Sequence, residues 1–190
     1  MVNESVSVSG RTAYRDAVSR ALDPAPTEWD PARATVVVLP FLDEVAERNA
    51  ESAALAVRAS EHALDRFSRC GFQLRSLEDA RKAAAAAGLD LADPVGRSKA
   101  AVRAVGEAAG ADIIVTGSVL LSQGGPHWMV KTEIKVLDVR RGEYVHIAGG
   151  SAQSTLPPGM PRKRKREQAV AHAVSNGLNA LLAPYEAKKR

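Results

Sequence analysis

A single cysteine, Cys70, excludes an intramolecular disulfide, so stability has to come from a packed core. It ends a helical pattern and reads as a small buried hydrophobe rather than a nucleophile. Aromatic residues make up only 4% of the chain, and none interleaves its cationic run, which excludes a stacking platform for single-stranded nucleic acid. No window approaches the roughly 20 consecutive apolar residues that cross a bilayer as a helix. The first thirty residues, with Glu4, Asp16 and Asp23 among them, lack a basic and then apolar export pattern. The compartment expected from the sequence as written is the cytoplasm, or the periplasm or outer-membrane surface if the N-terminus is truncated.

Catalytic signatures are equally scarce. His62, His127, His146 and His172 are scattered without paired spacing or a cysteine cluster, so no metal is expected. There is no Gly-x-Ser-x-Gly elbow, and Ser60 and Ser68 fall inside a helical pattern. Gly96 to Lys99, GRSK, resembles part of a phosphate-binding loop. It lacks the first glycine and a preceding strand, and Ala100 stands where a magnesium-binding hydroxyl belongs. Neither a catalytic residue nor a cofactor is expected.

What is present is a globular composition, 45% hydrophobic and 25% charged, on 190 residues, enough for one ordinary domain. Its charge is uneven. Of 26 Lys and Arg and 22 Asp and Glu, residues 162–190 hold eight cations and two acids, so the rest of the chain is slightly acidic.

Gly10 to Leu22 places Tyr14, Ala17, Val18, Ala21 and Leu22 at helical spacing, a short amphipathic helix suited to docking. Three prolines in DPAPTEWDPAR then mark a linker, giving a leading segment 1–33. The domain proper is expected over 34–184, with a basic tail 185–190 that ends in Lys188 to Arg190. ATVVVLPF from Ala34 is apolar throughout and predicts a central strand ended by proline. Arg48 to Cys70 predicts a long helix with Leu55, Ala59, Ala63, Phe67 and Cys70 on its inner side. GFQLRS predicts a short strand, LEDARKAAAAAG a helix stopped by Gly88, and Val95 to Gly110 another helix. GADIIVTGSVLLS and HWMVKTEIKVLDV predict two strands, the second alternating between Trp128, Val130, Thr132, Ile134, Val136 and a wet face of Met129, Lys131, Glu133, Lys135. Glu143 to Ala148 returns as the last strand, a loop runs to Pro161, and Val170, Val174, Leu178, Leu181 and Leu182 stripe a closing helix.

Long crossovers make the first strands parallel and tight turns make the last ones antiparallel. The expected fold is α/β: a mixed sheet of about five strands, parallel crossovers first and then an antiparallel meander, with helices packed on it.

Within GADIIVTGSVLL the glycines do not stand between a strand and a helix N-terminus. Gly110 closes a helix, and Gly117 interrupts a strand, where glycine marks a bulge, a bend or a close backbone approach. Asp43, Glu44 and Glu47 follow the first strand, where open sheets carry sites, although acids there also complement a helix dipole. Arg162, Lys163, Arg164, Lys165 and Arg166 are five consecutive cations at the start of the last helix. They read as a solvated loop or as a weak contact for nucleic acid or anionic lipid.

The opening VVVLPF strand, GADIIVTGSVLL, the alternating strand and LDVRRGEYV together resemble the α/β module shared by CsgG, the TolB amino-terminal domain, FlgO and LpoB, proteins of bacterial envelope assembly. The matching positions are Gly110, Ala111, Asp112, Thr116, Gly117 and Ser118, with Asp138 and Gly142 in the hairpin. The resemblance implies an anticodon-binding-domain-like sheet and a non-catalytic module that binds envelope or secretion proteins, homo-oligomers included. It implies that Asp112 enters a buried strand and that Gly117 lets it bend. A recognition surface at sheet edges or at loops near Asp43 and Gly124 is the first expectation. A binder of nucleic acid or anionic surfaces through 162–166 is the alternative.

Overall fold

The computed structural model describes residues 29–44, 50–86, 88–90, 97–124, 127–153 and 161–187. The leading amphipathic helix, Glu47, Gly96 and Lys188 to Arg190 lie outside them.

In chain order the elements are β1 (Thr35–Val38), β2 (Leu42–Asp43), α1 (Ala50–Arg69), β3 (Gln73–Leu74), α2 (Leu77–Ala86), α3 (Lys99–Ala109), β4 (Ile113–Gly124), β5 (His127–Asp138), β6 (Glu143–Gln153) and α4 (Arg162–Ala187). They form one mixed sheet in the order β3-β1-β4-β5-β6, with β2 also paired to β4. Pairings among β1, β2, β3 and β4 are parallel, and β4–β5 and β5–β6 are antiparallel.

The sheet is thus the expected mixed sheet of about five strands, six once the two-residue β2 is counted. Val38 stands opposite Val115 and Leu42 opposite Ser118, so three residues, Leu39 to Phe41, span the two residues Thr116 and Gly117. Pro40 has no N–H to give the ladder, so pairing stops there and resumes one residue out of step. The first strand is interrupted by its proline, not ended by it.

Two helical layers enclose the sheet. On one face α1 and α4 bury Phe67, Val170, Val174, Leu178 and Leu182 against Val36, Val38, Ile113, Ile134 and Val136. On the other, α2 and α3 bury Ala80, Ala84, Val102 and Val105 against Val37, Leu39, Ile114 and Leu137. Leu178 and Leu182 are fully buried, and each such side chain is worth about 1.5–3 kcal/mol relative to exposure. The wet face of β5 is thus confined to its middle, where Lys131 and Glu133 are exposed, because Leu137 on the same face is buried under α2 and α3.

Several boundaries differ from the sequence pattern. Helix α3 begins at Lys99, not Val95, because the Ser98 side chain accepts the Ala101 N–H as its N-cap. Strand β6 runs to Gln153, five residues beyond Ala148, with a bulge that leaves Val145 unpaired. Gly149 and Gly150 read as loop residues in sequence. They are ladder residues instead, because α4 crosses Gly150 too closely for any side chain. The run 162–166 is helical, and Arg166 is buried rather than solvated.

The domain also extends past 34–184 at both ends. Phe72 stacks edge-on with Trp29 at 6.4 Å and with Tyr185 at 5.2 Å, and the Trp29 N–H donates to the Tyr185 hydroxyl at 3.3 Å. Tyr185 is a core residue of α4, not part of a tail.

Candidate functional site

The motif residues form the seam of the sheet. Gly110 takes φ +61° after α3, and the next residue's N–H reaches back to Gly106 O at 2.9 Å, closing the helix. Asp112 then stands just before β4. Its Oδ2 accepts the Thr35 N–H at 3.0 Å, its own N–H donates to Thr35 O at 2.9 Å, and its carbonyl accepts the Val139 N–H at 3.0 Å. One residue thereby joins the starts of β1 and β4 to the end of β5. Its side chain is 29% exposed, with Arg140 at 3.3 Å, so it caps the sheet rim where the chain enters β4.

Asp138 and Gly142 shape the β5–β6 hairpin. Asp138 Oδ1 accepts the Arg141 N–H at 3.0 Å, its carbonyl accepts the Gly142 N–H at 2.8 Å, and Gly142 sits at φ +65°. Thr116 and Ser118 are buried on β4 either side of Gly117. A Cβ on Gly117 would lie 2.5 Å from the Phe41 ring and 2.6 Å from Glu133 O, so the glycine makes room for the aromatic ring at the β1–β2 break.

A cavity of about 460 Å³ opens beside this seam, lined by Trp29, Asp30, Arg33, Asp112, Asp138 and Arg140. Its acids are engaged with their own surroundings: Asp30 accepts the Ala32 N–H at 3.1 Å and pairs with Arg33 at 3.5 Å, and Asp112 and Asp138 hold backbone N–H groups. This end of the sheet is a structural rim.

The opposite end holds the candidate site. At the carboxyl ends of β1 and β2, where open α/β sheets place ligands, a cleft of about 420 Å³ lies between the strands, α1 and α2. Phe41 and Ala56 are its buried floor, and Val57, 51% exposed, is its apolar rim. The main chain is set there by Ser60 of α1, whose hydroxyl accepts the Phe41 N–H at 2.8 Å and donates to Ala56 O at 3.1 Å. Charge enters from Asp43, Arg81, Asp90 and Arg97. Arg97 donates to Pro40 O at 2.7 Å, a side-chain bond to the main chain at the break in the strand. Burial pushes the Arg97 guanidinium down to about 10, against a smaller upward pull from Asp90, so it remains a cation at neutral pH. Asp43 is a half-buried strand residue on this wall and not a helix-start acid.

Such an arrangement can bind an apolar group beside a charged one. Asp43 is the sequence's pointer to this end, whereas Arg81 carries no local signal and Arg97 stands out only as part of GRSK: they reach the cleft from α2 and from just before α3, far from β2 in sequence.

The remaining candidates do not converge. His62 is half-buried on α1, His146 Nε2 donates to Gly177 O at 2.7 Å, and His172 is exposed on α4. Among the described residues there is no group of three or more His, Cys, Asp or Glu able to hold a metal ion. Of the cationic run, Lys163 and Arg164 are exposed, Lys165 is half-buried and Arg166 is buried. No helix among the described residues is long and apolar enough to cross a membrane.

No family model matches the sequence, and no curated protein matches it. Among solved structures the chain is similar to the LpoB C-terminal domain from Salmonella enterica, at 16% identity and a TM-score of 0.41 over 73% of this chain and 93% of that one. It is also similar to a PelC dodecamer from Paraburkholderia phytofirmans, at 13% identity and a TM-score of 0.49 over 85% and 95%. TolB from Acinetobacter baumannii matches at 17% identity and a TM-score of 0.39 over 79% and 29%. The likeness is one of fold, and two of the proteins that the motifs resemble, LpoB and TolB, are among these structures.

Proposed function

We propose that this chain is a non-catalytic protein-interaction module of bacterial envelope assembly. In this reading the cleft between β2, α1 and α2 receives a partner segment that carries an apolar side chain beside an acidic one. The observation that carries the reading is the pairing of Val57, exposed at the rim, with Arg81 and the anchored Arg97 in one cleft. An exposed aliphatic at the rim of a cleft that also holds charged side chains is the composition of a binding surface. The envelope assignment rests on the motif resemblance at Gly110 to Ser118 and in the Asp138–Gly142 hairpin.

Affinity capture tests it. Immobilised chain is exposed to an envelope extract of the source cells, in parallel with Val57→Asp and Arg81→Glu variants, and retained proteins are quantified by mass spectrometry. A defined protein retained by the wild type and lost at least tenfold by both variants supports the reading. Equal retention by all three contradicts it.

The rival reading, binding of nucleic acid or anionic lipid by residues 162–166, retains Lys163 and Arg164 as exposed cations. Binding to DNA or anionic vesicles that fades with added salt and vanishes in the Lys163→Gln, Arg164→Gln double variant would favour it over the cleft.

A further inference from the structure

Among the described residues, strand β6 pairs with β5 on one side and is the last strand of the sheet. Natural edges of this kind are blunted by lysine, proline, inward charges or short length, because an open edge is a template for another strand. β6 is eleven residues long, and from Tyr144 to Gln153 it contains no Lys, Arg, Asp, Glu or Pro. Its bulge sits near one end, between the partners of Val136 and Leu137, which leaves His146 to Gln153 as a regular run. Within that run Ile147 is 42% exposed, and Gly149 and Ser151 are exposed on the same side of the sheet. The other side is closed by α4, through Gly150 under Ala173 and His146 on Gly177 O.

We infer that β6 pairs antiparallel with β6 of a second copy, about a two-fold axis at Gly149. Residues facing each other across an antiparallel pair share a side of the sheet, so the axis falls on a residue, and centring it in the exposed set 147, 149, 151 sets the exposed side chains of the two copies opposite one another. Gly149 is the middle one, and Ile147 of each copy then faces Ser151 of the other. A second copy fits better than a charged peptide, because a run without Lys, Arg, Asp or Glu opposes itself without repulsion and a two-fold interface is self-complementary. Asn176 Nδ2 already donates to Ser151 O at 3.0 Å, and that carbonyl has a second lone pair for the partner strand. The two sheets join into one continuous sheet. The cleft at Arg97 plays no part in this, so the two proposals stand or fall separately.

Sedimentation equilibrium of the full chain, with cysteine crosslinking, tests the pairing. Gly149→Cys places a thiol on the axis, and a Cβ there meets nothing nearer than Thr132 O at 3.6 Å, so the variant folds. The native Cys70 is buried and does not compete. The expected results are a monomer–dimer equilibrium in the wild type, a disulfide-linked dimer of Gly149→Cys under mild oxidation, and at least tenfold weaker dimerisation of Ile147→Lys with an unchanged circular dichroism spectrum. A monomer at all concentrations up to the solubility limit overturns the proposal. So does a dimer that neither crosslinks through position 149 nor responds to Ile147→Lys.

Discussion

Gly150 of β6 lies against Ala173 of α4 with no space between the two backbones: a Cβ added to the glycine would overlap the Ala173 carbonyl and come within 2.9 Å of the Gly177 nitrogen. The helix is drawn in by polar bonds as well as by carbon. Thr132 Oγ1 lies 3.3 Å from Ala173 O, and His146 reaches Gly177 O at 2.7 Å. The contact fixes how α4 sits on the sheet.

Gly150→Ala must therefore push α4 away or distort β6, and overpacking of this kind costs about 1–3 kcal/mol or more. Gly149→Ala meets only ordinary contact, and its cost is expected to stay within about 1 kcal/mol, the usual penalty scale for exposed positions. Urea denaturation of the two variants, side by side, checks the contrast.

At the β1–β2 break, Gly117 and Phe41 share one space. Gly117→Ala is expected to destabilise by about 2–3 kcal/mol, in the range for strained cores. Phe41→Leu in the same chain should recover only part of that loss, because Glu133 O is backbone and cannot withdraw. A double-mutant cycle gives the coupling, and strict additivity would show that the two residues do not compete.

Asp112 is expected to matter through its backbone bonds more than through Arg140, which is 86% exposed. Asp112→Ala leaves the Thr35 N–H without its acceptor, a loss of about 1–3 kcal/mol for a buried donor. Arg140→Ala should cost less than about 1 kcal/mol, as for other exposed ion pairs. Equal effects of the two substitutions would contradict this ranking.

Burial on α1 holds the His62 imidazole below its ordinary 6.5, opposed by Asp65 and Glu61 and assisted by Arg58 and Arg69. The unfolded chain therefore binds the extra proton first as pH falls. The stability His62 allows is fully present above about pH 6.5 and is lost on descending toward its lower folded value. Relative to His62→Leu, the wild type is expected to lose stability between pH 7 and pH 5 and to keep a constant offset above pH 7. Parallel pH dependence of the two proteins would show that this histidine does not contribute.

Much of the fold was legible because hydrophobic period carries it. Leu55, Ala59, Ala63 and Phe67 announce the buried face of α1, and Val130, Thr132, Ile134 and Val136 announce β5. Tertiary contacts decided the rest. Gly149 and Gly150 look like loop in sequence, and the requirement for glycine at 150 comes from Ala173, more than twenty residues further along the chain. The two-residue β2 is too short to show a period, and Tyr185 was read as tail because its partners Phe72 and Trp29 come from elsewhere in the chain. Of the cleft, only Asp43 was visible from its place after a strand. Arg81 and Arg97 come to line one cleft only when α2 packs beside Pro40 and Arg97 bonds its carbonyl.

Amide hydrogen exchange, measured on the chain alone and with a captured partner, tests the central claim most directly. Slowed exchange should gather at residues 41–44, 53–57 and around Arg81 and Arg97. Protection confined to the start of α4, with those segments unchanged, would contradict a cleft-based interaction module.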